Sequence, residues 1–233
     1  MGDTADRVAT VQARISDIAR SCGRDPGEIR IIGASKGQER SAVEEAYASG
    51  ITEFGENYVQ EAAAKFVPPH PPWRLHFIGH LQHRKVRDVP GLFDMVQTLD
   101  ASRTVHALDA VMAGRSTPYP VAIEVSFSHD PVRPGISPEG VPGLLQEILG
   151  CGTLHCRGFM VVASTSDRDA SQKEFAALRE LRDAMERRFG KKFPELSMGM
   201  SGDYDLAIRE GATMVRLGTA IFGPRRLRNG GEH

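Results

Sequence analysis

A lysine closes the short apolar run Ile31-Ile32-Gly33-Ala34-Ser35-Lys36, and a helical pattern follows it directly. A strand that ends in this way delivers its last residues to a ligand site. The lysine amine is the side-chain nucleophile that condenses with a carbonyl group, including the carbonyl of a bound cofactor. The competing reading of Lys36 is an amine that reaches out to water from a half-buried stem. Two later segments carry chemistry suited to an anion. Met198-Gly199-Met200-Ser201-Gly202-Asp203 offers a hydroxyl at Ser201, an open backbone at Gly202 and a helix start near Asp203. N–H groups at such a start face outward and favour a phosphate. Gly218-Thr219 adds backbone N–H groups and a second hydroxyl. Ordinary turn chemistry and helix capping use the same residue types.

Arg216 shares a strand face with Met214 and Gly218. A guanidinium inside a sheet needs a partner. Either it pairs with an internal carboxylate such as Glu56 or Glu124, or it donates to a ring nitrogen of a cofactor. An always-charged donor would keep that nitrogen unprotonated. Asn57 follows a strand-like run, so it suits a ligand contact or a helix N-cap. His76, His80 and His83 could suggest a metal, but they span a strand end and a loop, and hydrogen bonding at the rim is the expectation. No metal site is expected. Cys151 and Cys156 read as small buried apolar residues.

These residues need a frame. Strand-like runs cover 29–35, 53–56, 74–79, 95–100, 121–127, 154–162, 196–201 and 214–222. Helical patterns fill most gaps, at 39–49, 57–66, 102–112, 138–149 and 171–189; in the last, Phe175, Leu178, Met185 and Phe189 mark a core-facing stripe. Strand and helix alternate at roughly 25 residues per unit, which predicts a single α/β domain, a (β/α)8 barrel of the TIM type. An open doubly wound sheet is the alternative. Val8, Val11, Ile15, Ile18 and Cys22 predict an extra N-terminal amphipathic helix, stopped by Gly23, within 1–27. Pro68-Pro69-His70-Pro71-Pro72 reads as a loop inside the single domain 1–233, and the basic segment 224–233 as a flexible tail.

The 233 residues carry a formal net charge of -1, so no global field points to nucleic acid or an anionic membrane. No apolar run approaches the roughly 20 residues of a membrane span. Three cysteines without a pairing pattern suit a reducing cytoplasm.

Taken together, the chain resembles the pyridoxal phosphate homeostasis protein family, also called proline synthase co-transcribed homologues. The resemblance rests on Ala34-Ser35-Lys36, on Phe54-Gly55-Glu56-Asn57-Tyr58-Val59-Gln60-Glu61 and on His76-Phe77-Ile78-Gly79-His80-Leu81-Gln82. It rests equally on the run from Ser197 to Asp203 and on Met214-Val215-Arg216-Leu217-Gly218-Thr219-Ala220-Ile221-Phe222-Gly223. The family resembles the barrel domain of alanine racemase. The resemblance implies pyridoxal 5'-phosphate held through Lys36, its phosphate near Ser201, Gly218 and Thr219, and its ring nitrogen facing Arg216. Two segments depart from the family pattern: Arg84 replaces an asparagine after Leu81-Gln82-His83, and Arg133-Pro134-Gly135 replaces a Lys-Ser-Gly type segment.

Two functions compete. One is a non-catalytic cofactor binder acting in intracellular vitamin B6 homeostasis, passing cofactor to recipient enzymes. The other is a pyridoxal-phosphate-dependent amino-acid racemase, which needs an acid/base on each face of the substrate carbon. Tyr58 and Tyr204 are the available second bases. In the related racemases that base comes from a second, β domain, and this sequence ends soon after its eighth strand; binder and monomer are therefore the expectations. A barrel enzyme acting on a phosphorylated metabolite would leave Lys36 and Arg216 without a joint role.

Overall fold

Strands covered on both faces need residues that are apolar or internally paired throughout, and the strand segments here meet that demand. A computed structural model describes residues 3–68, 71–128, 130 and 132–224. Eight strands follow in chain order: β1 (Arg30–Ala34), β2 (Glu53–Glu56), β3 (Arg74–Phe77), β4 (Met95–Leu99), β5 (Tyr119–Glu124), β6 (Leu154–Met160), β7 (Glu195–Ser197) and β8 (Met214–Leu217). Each pairs in parallel with the next. Strand β8 pairs back onto β1, with Arg30 opposite Met214 and Gly33 opposite Leu217. That ladder closes the barrel and excludes the open sheet.

The helices are α1 (Asp3–Ser21), α2 (Arg40–Ala48), α3 (Val59–Lys65), α4 (Ser102–Val111), α5 (Val141–Gly150), α6 (Arg168–Phe189), α7 (Tyr204–Arg209) and α8 (Thr219–Phe222). The N-terminal helix α1 buries Val8, Val11, Ile15 and Ile18 against α2, α7 and α8. Cys22 lies just past its end and is half-buried. In α6, Asp167 accepts from Ala170 N–H at 3.0 Å, and Gly190 ends the helix at φ 62°. These are a side-chain N-cap and a left-handed C-terminal stop. The α6 stripe buries Phe175, Leu178 and Met185, with Phe189 packed beside them.

Several boundaries differ from expectation. The run 214–222 is not one strand: the chain turns at Gly218, and Thr219–Phe222 coils into a single helical turn. Its apolar residues pack as a helix end, a periodicity too short to read. Strand β5 stops at Glu124, leaving one isolated bridge between Val125 and Ile136. Between β3 and β4 the connection is a 3-10 helix, His83–Asp88, in place of an α-helix. Cys156 is buried, but Cys151 is only partly so. Residues 225–233, which make up nearly all of the expected tail, and 69–70 of the proline-rich loop lie outside the described residues.

Two cores result. The larger fills the space between strands and helices. The smaller, Ile32, Met95, Ala122 and Met214, lies inside the barrel. Glu53, His76, Gln97, Ser197 and Arg216 are buried as well, and inward-facing strand positions of such a barrel usually carry branched apolar side chains. This interior is polar along much of its length.

Candidate functional site

The C-terminal ends of β1, β2, β7 and β8 surround a cavity of about 410 Å³. Its lining includes Lys36, Asn57, Ser201, Arg216, Gly218 and Thr219, together with Gln38, Ile78, Val162 and Met200. All six residues singled out in the sequence thus reach one space. They come from opposite ends of the chain, and the β1–β8 ladder is what joins them.

Lys36 follows β1 and is half-buried. Its ammonium lies 4.8 Å from the centre of the Tyr58 ring, a cation–π contact. Beneath it Glu56 Oε1 accepts from Ser35 Oγ and from Lys65 Nζ, both at 2.6 Å. Lys65 also donates to Ser35 O at 2.6 Å and to Glu61 at 3.0 Å. A second, buried lysine therefore clamps the backbone that presents Lys36. Sequence reading missed it. The available signal was the i,i+4 pair Glu61–Lys65 on a helix with an inward face.

Asn57 lines the cavity and does not cap α3; Tyr58 occupies the cap position and makes no side-chain cap bond. Gly79 makes this approach possible. A Cβ there would lie 2.2 Å from Asn57 O and 2.7 Å from Asn57 Cα. On the other side, Asp203 Oδ1 accepts from Met200 N–H at 2.6 Å and closes the loop before α7. Ser201 Oγ accepts from Ala220 N–H at 3.2 Å, which ties that loop to α8. The Ser201 hydroxyl proton remains available to donate.

Arg216 is buried beneath the cavity. Its Nη1 donates to Ser197 Oγ at 2.7 Å and its Nη2 to Val161 O at 2.8 Å. The alternative partner Glu56 makes no ion pair with Arg216 among the described residues, since Glu56 is held by Lys65. Glu124 makes no salt bridge with Arg216 among the described residues, although each feels the other's charge. Burial lowers the guanidinium to about 10, against Glu124 and Asp203, so it stays charged at neutral pH. Burial, aided by Asp100, raises Glu124 to about 7. Glu124 Oε2 has no hydrogen-bond partner among the described residues.

The histidines separate. His76 is not at the rim: it lies inside the barrel between Glu53 and Gln97. His80 is exposed, 3.5 Å from Asp100. Strand alternation alone would put positions 76 and 80 on one face; they separate because His76 falls within β3 and His80 lies beyond its end at Phe77.

The donor set fits pyridoxal phosphate: an amine at the mouth, hydroxyls and N–H groups for a dianion on one side, and a fixed cation beneath. A family model described as alanine racemase, N-terminal domain, matches residues 10–226. The pyridoxal phosphate homeostasis protein of Pseudomonas aeruginosa is 37% identical over 227 residues, covering 97% of both chains. The protein of that name from Escherichia coli K12 is 35% identical over 231 residues, covering 97% of this chain and 98% of its own. Among solved structures, PipY of Synechococcus elongatus with PLP bound is 30% identical, covers 95% of this chain and 100% of its own, and superposes with a TM-score of 0.84. Alanine racemase from Corynebacterium glutamicum shares the barrel alone, at 15% identity and a TM-score of 0.67, with 62% of its length covered. The chain belongs to the alanine racemase N-terminal domain family, and within it to the pyridoxal phosphate homeostasis proteins.

Proposed function

We propose that this protein binds pyridoxal 5'-phosphate and serves the homeostasis of that cofactor without turning over a substrate. The observation that carries the reading is the convergence of Lys36, Asn57, Ser201, Arg216, Gly218 and Thr219 on one cavity. The described chain acts as a single cofactor-binding domain. When bound, pyridoxal phosphate supplies an aldehyde that an amine can capture and a ring that withdraws electrons. Lys36 is the amine. Ser201, Thr219 and the backbone at Gly218 hold the phosphate through hydroxyl and N–H donors. Arg216 donates to the ring nitrogen, and its permanent charge disfavours a proton there. A ring held in that state is a weak electron sink, which suits holding over carbanion chemistry.

The racemase alternative lacks an opposing second base among the described residues that line the pocket. Tyr204 is buried and stacks under Arg14 of α1, with its ring 5.8 Å from that guanidinium. It does not line the cavity. Tyr58 packs on the Lys36 ammonium itself, so it shares the lysine's position and does not oppose it. Cofactor titration tests the reading: absorbance near the colour band of a lysine-bound pyridoxal should grow to one equivalent and fail in Lys36→Ala. Incubating the loaded protein with single L-amino acids should yield no D-isomer; steady turnover would establish the racemase.

A further inference from the structure

A line of buried polar side chains runs through the barrel interior from the pocket floor toward the opposite mouth. Arg216 Nη1 donates to Ser197 Oγ at 2.7 Å. Ser197 Oγ lies 2.6 Å from Gln97 Oε1. Gln97 Nε2 lies 2.9 Å from His76 Nδ1, and His76 Nε2 lies 2.9 Å from Glu53 Oε2. Glu53 meets Arg30 at 3.3 Å, where β1 and β2 begin. The members come from β8, β7, β4, β3 and β2, so no local sequence pattern connects them.

The two ends fix the direction of every bond. Arginine only donates and a carboxylate only accepts. Ser197 Oγ accepts from Arg216, so its own proton goes to Gln97 Oε1. Gln97 then faces His76 with its amide nitrogen, which also reaches Met214 Sδ, an acceptor, at 3.4 Å. His76 must accept at Nδ1 and carry its proton on Nε2, donating to Glu53. Each donor polarises the next, which strengthens the acceptor that Arg216 sees. The apolar filling of Ile32, Met95, Ala122 and Met214 around this line offers no competing partner of comparable strength.

We propose that Gln97 and His76 are positioning residues for Arg216: their one-directional hydrogen-bond chain to Glu53 aims the guanidinium at the pocket. The consequence for cofactor rests on the reading of Arg216 as the ring partner; the chain itself does not. Nitrogen NMR of the ligand-free wild-type protein should show His76 protonated on Nε2 and bare at Nδ1. In Gln97→Leu, Ser197 Oγ loses its acceptor and holds Arg216 less firmly, so the guanidinium protons should exchange with water about tenfold faster, the worth of about one hydrogen bond. Gln97→Glu keeps the acceptor for Ser197, so it should restore slow exchange while placing a second proton on His76. With pyridoxal phosphate, Gln97→Leu should bind about tenfold more weakly, with a shifted absorbance band. A proton on His76 Nδ1 in the wild type overturns the proposal, as does unchanged Arg216 exchange in Gln97→Leu. An affinity and band identical to wild type in Gln97→Leu overturn it as well. If the wild type binds no cofactor, the function fails, and the two ligand-free measurements still decide the chain.

Discussion

At the scale of single residues, the protein buries charges that differ in how well they are matched. Lys65 and Glu56 are matched: both are buried and their atoms lie 2.6 Å apart. Removing one partner leaves the other as a buried uncompensated charge, so Lys65→Met should cost about 3–5 kcal/mol in urea unfolding. A loss below about 1 kcal/mol, the range of an exposed pair, would show that the clamp under Ser35 is dispensable. Glu124 is unmatched. Its carboxyl is raised from 4.5 to about 7 in the folded protein. The folded state therefore holds this proton more tightly than the unfolded chain. The associated stability is present below pH 4.5 and lost as pH rises to about 7, a swing of about 3 kcal/mol. Glu124→Gln should be more stable than wild type at about pH 8, with the advantage vanishing near pH 4. Equal pH slopes for the two proteins would contradict the raised value. The grouping of Lys36, Ser201, Arg216 and Gly218-Thr219 on one cavity was legible because all fall in or just after predicted strands, although Ser201 and Gly218-Thr219 are also ordinary turn residues. Gln97 was not, because it meets Ser197 only across the closed barrel; His76 was misplaced because its face of β3 was not read, and Lys65 was missed although Glu56 and Glu61 lie close to it in sequence.

At the scale of elements, alternation of strand and helix gave the order of all eight strands, since short apolar runs and turn residues mark each one. The ends were less readable. Gly218 breaks a continuous apolar run into β8 and the turn α8, and nothing in Leu217-Gly218-Thr219-Ala220 announces the change from a strand period to a helical one. The glycines that matter are those where another backbone comes close. Gly79→Ala would force the end of β3 away from Asn57, whose O would lie 2.2 Å from the new Cβ. It should cost about 1–3 kcal/mol, as overpacking does, and weaken cofactor binding with it. Gly143, inside α5, has nothing within 4 Å of its Cβ position. Gly143→Ala should instead gain about 0.5–1 kcal/mol and leave binding unchanged. Thermal melts of the two variants, taken with cofactor titrations, check the contrast; equal effects would show that the β3–Asn57 approach does not shape the pocket.

At the scale of the whole molecule, a closed barrel turns residues near both ends of the chain into neighbours. Lys36 after β1 and Arg216 in β8 share a cavity only because β1 and β8 pair. The family resemblance was legible for the same reason: its carrying segments lie at strand ends spread from β1 to β8, and these ends are where the barrel gathers ligands. Lys36, which lines the cavity, is the residue we propose captures pyridoxal phosphate. The most direct test is to load the protein with the cofactor, reduce it with borohydride, digest it and locate the modified peptide by mass spectrometry. One equivalent of cofactor should be fixed on Lys36, and Lys36→Ala should retain none. Label on Lys65 or on surface lysines, or a wild-type protein that fixes no cofactor, would contradict the assignment.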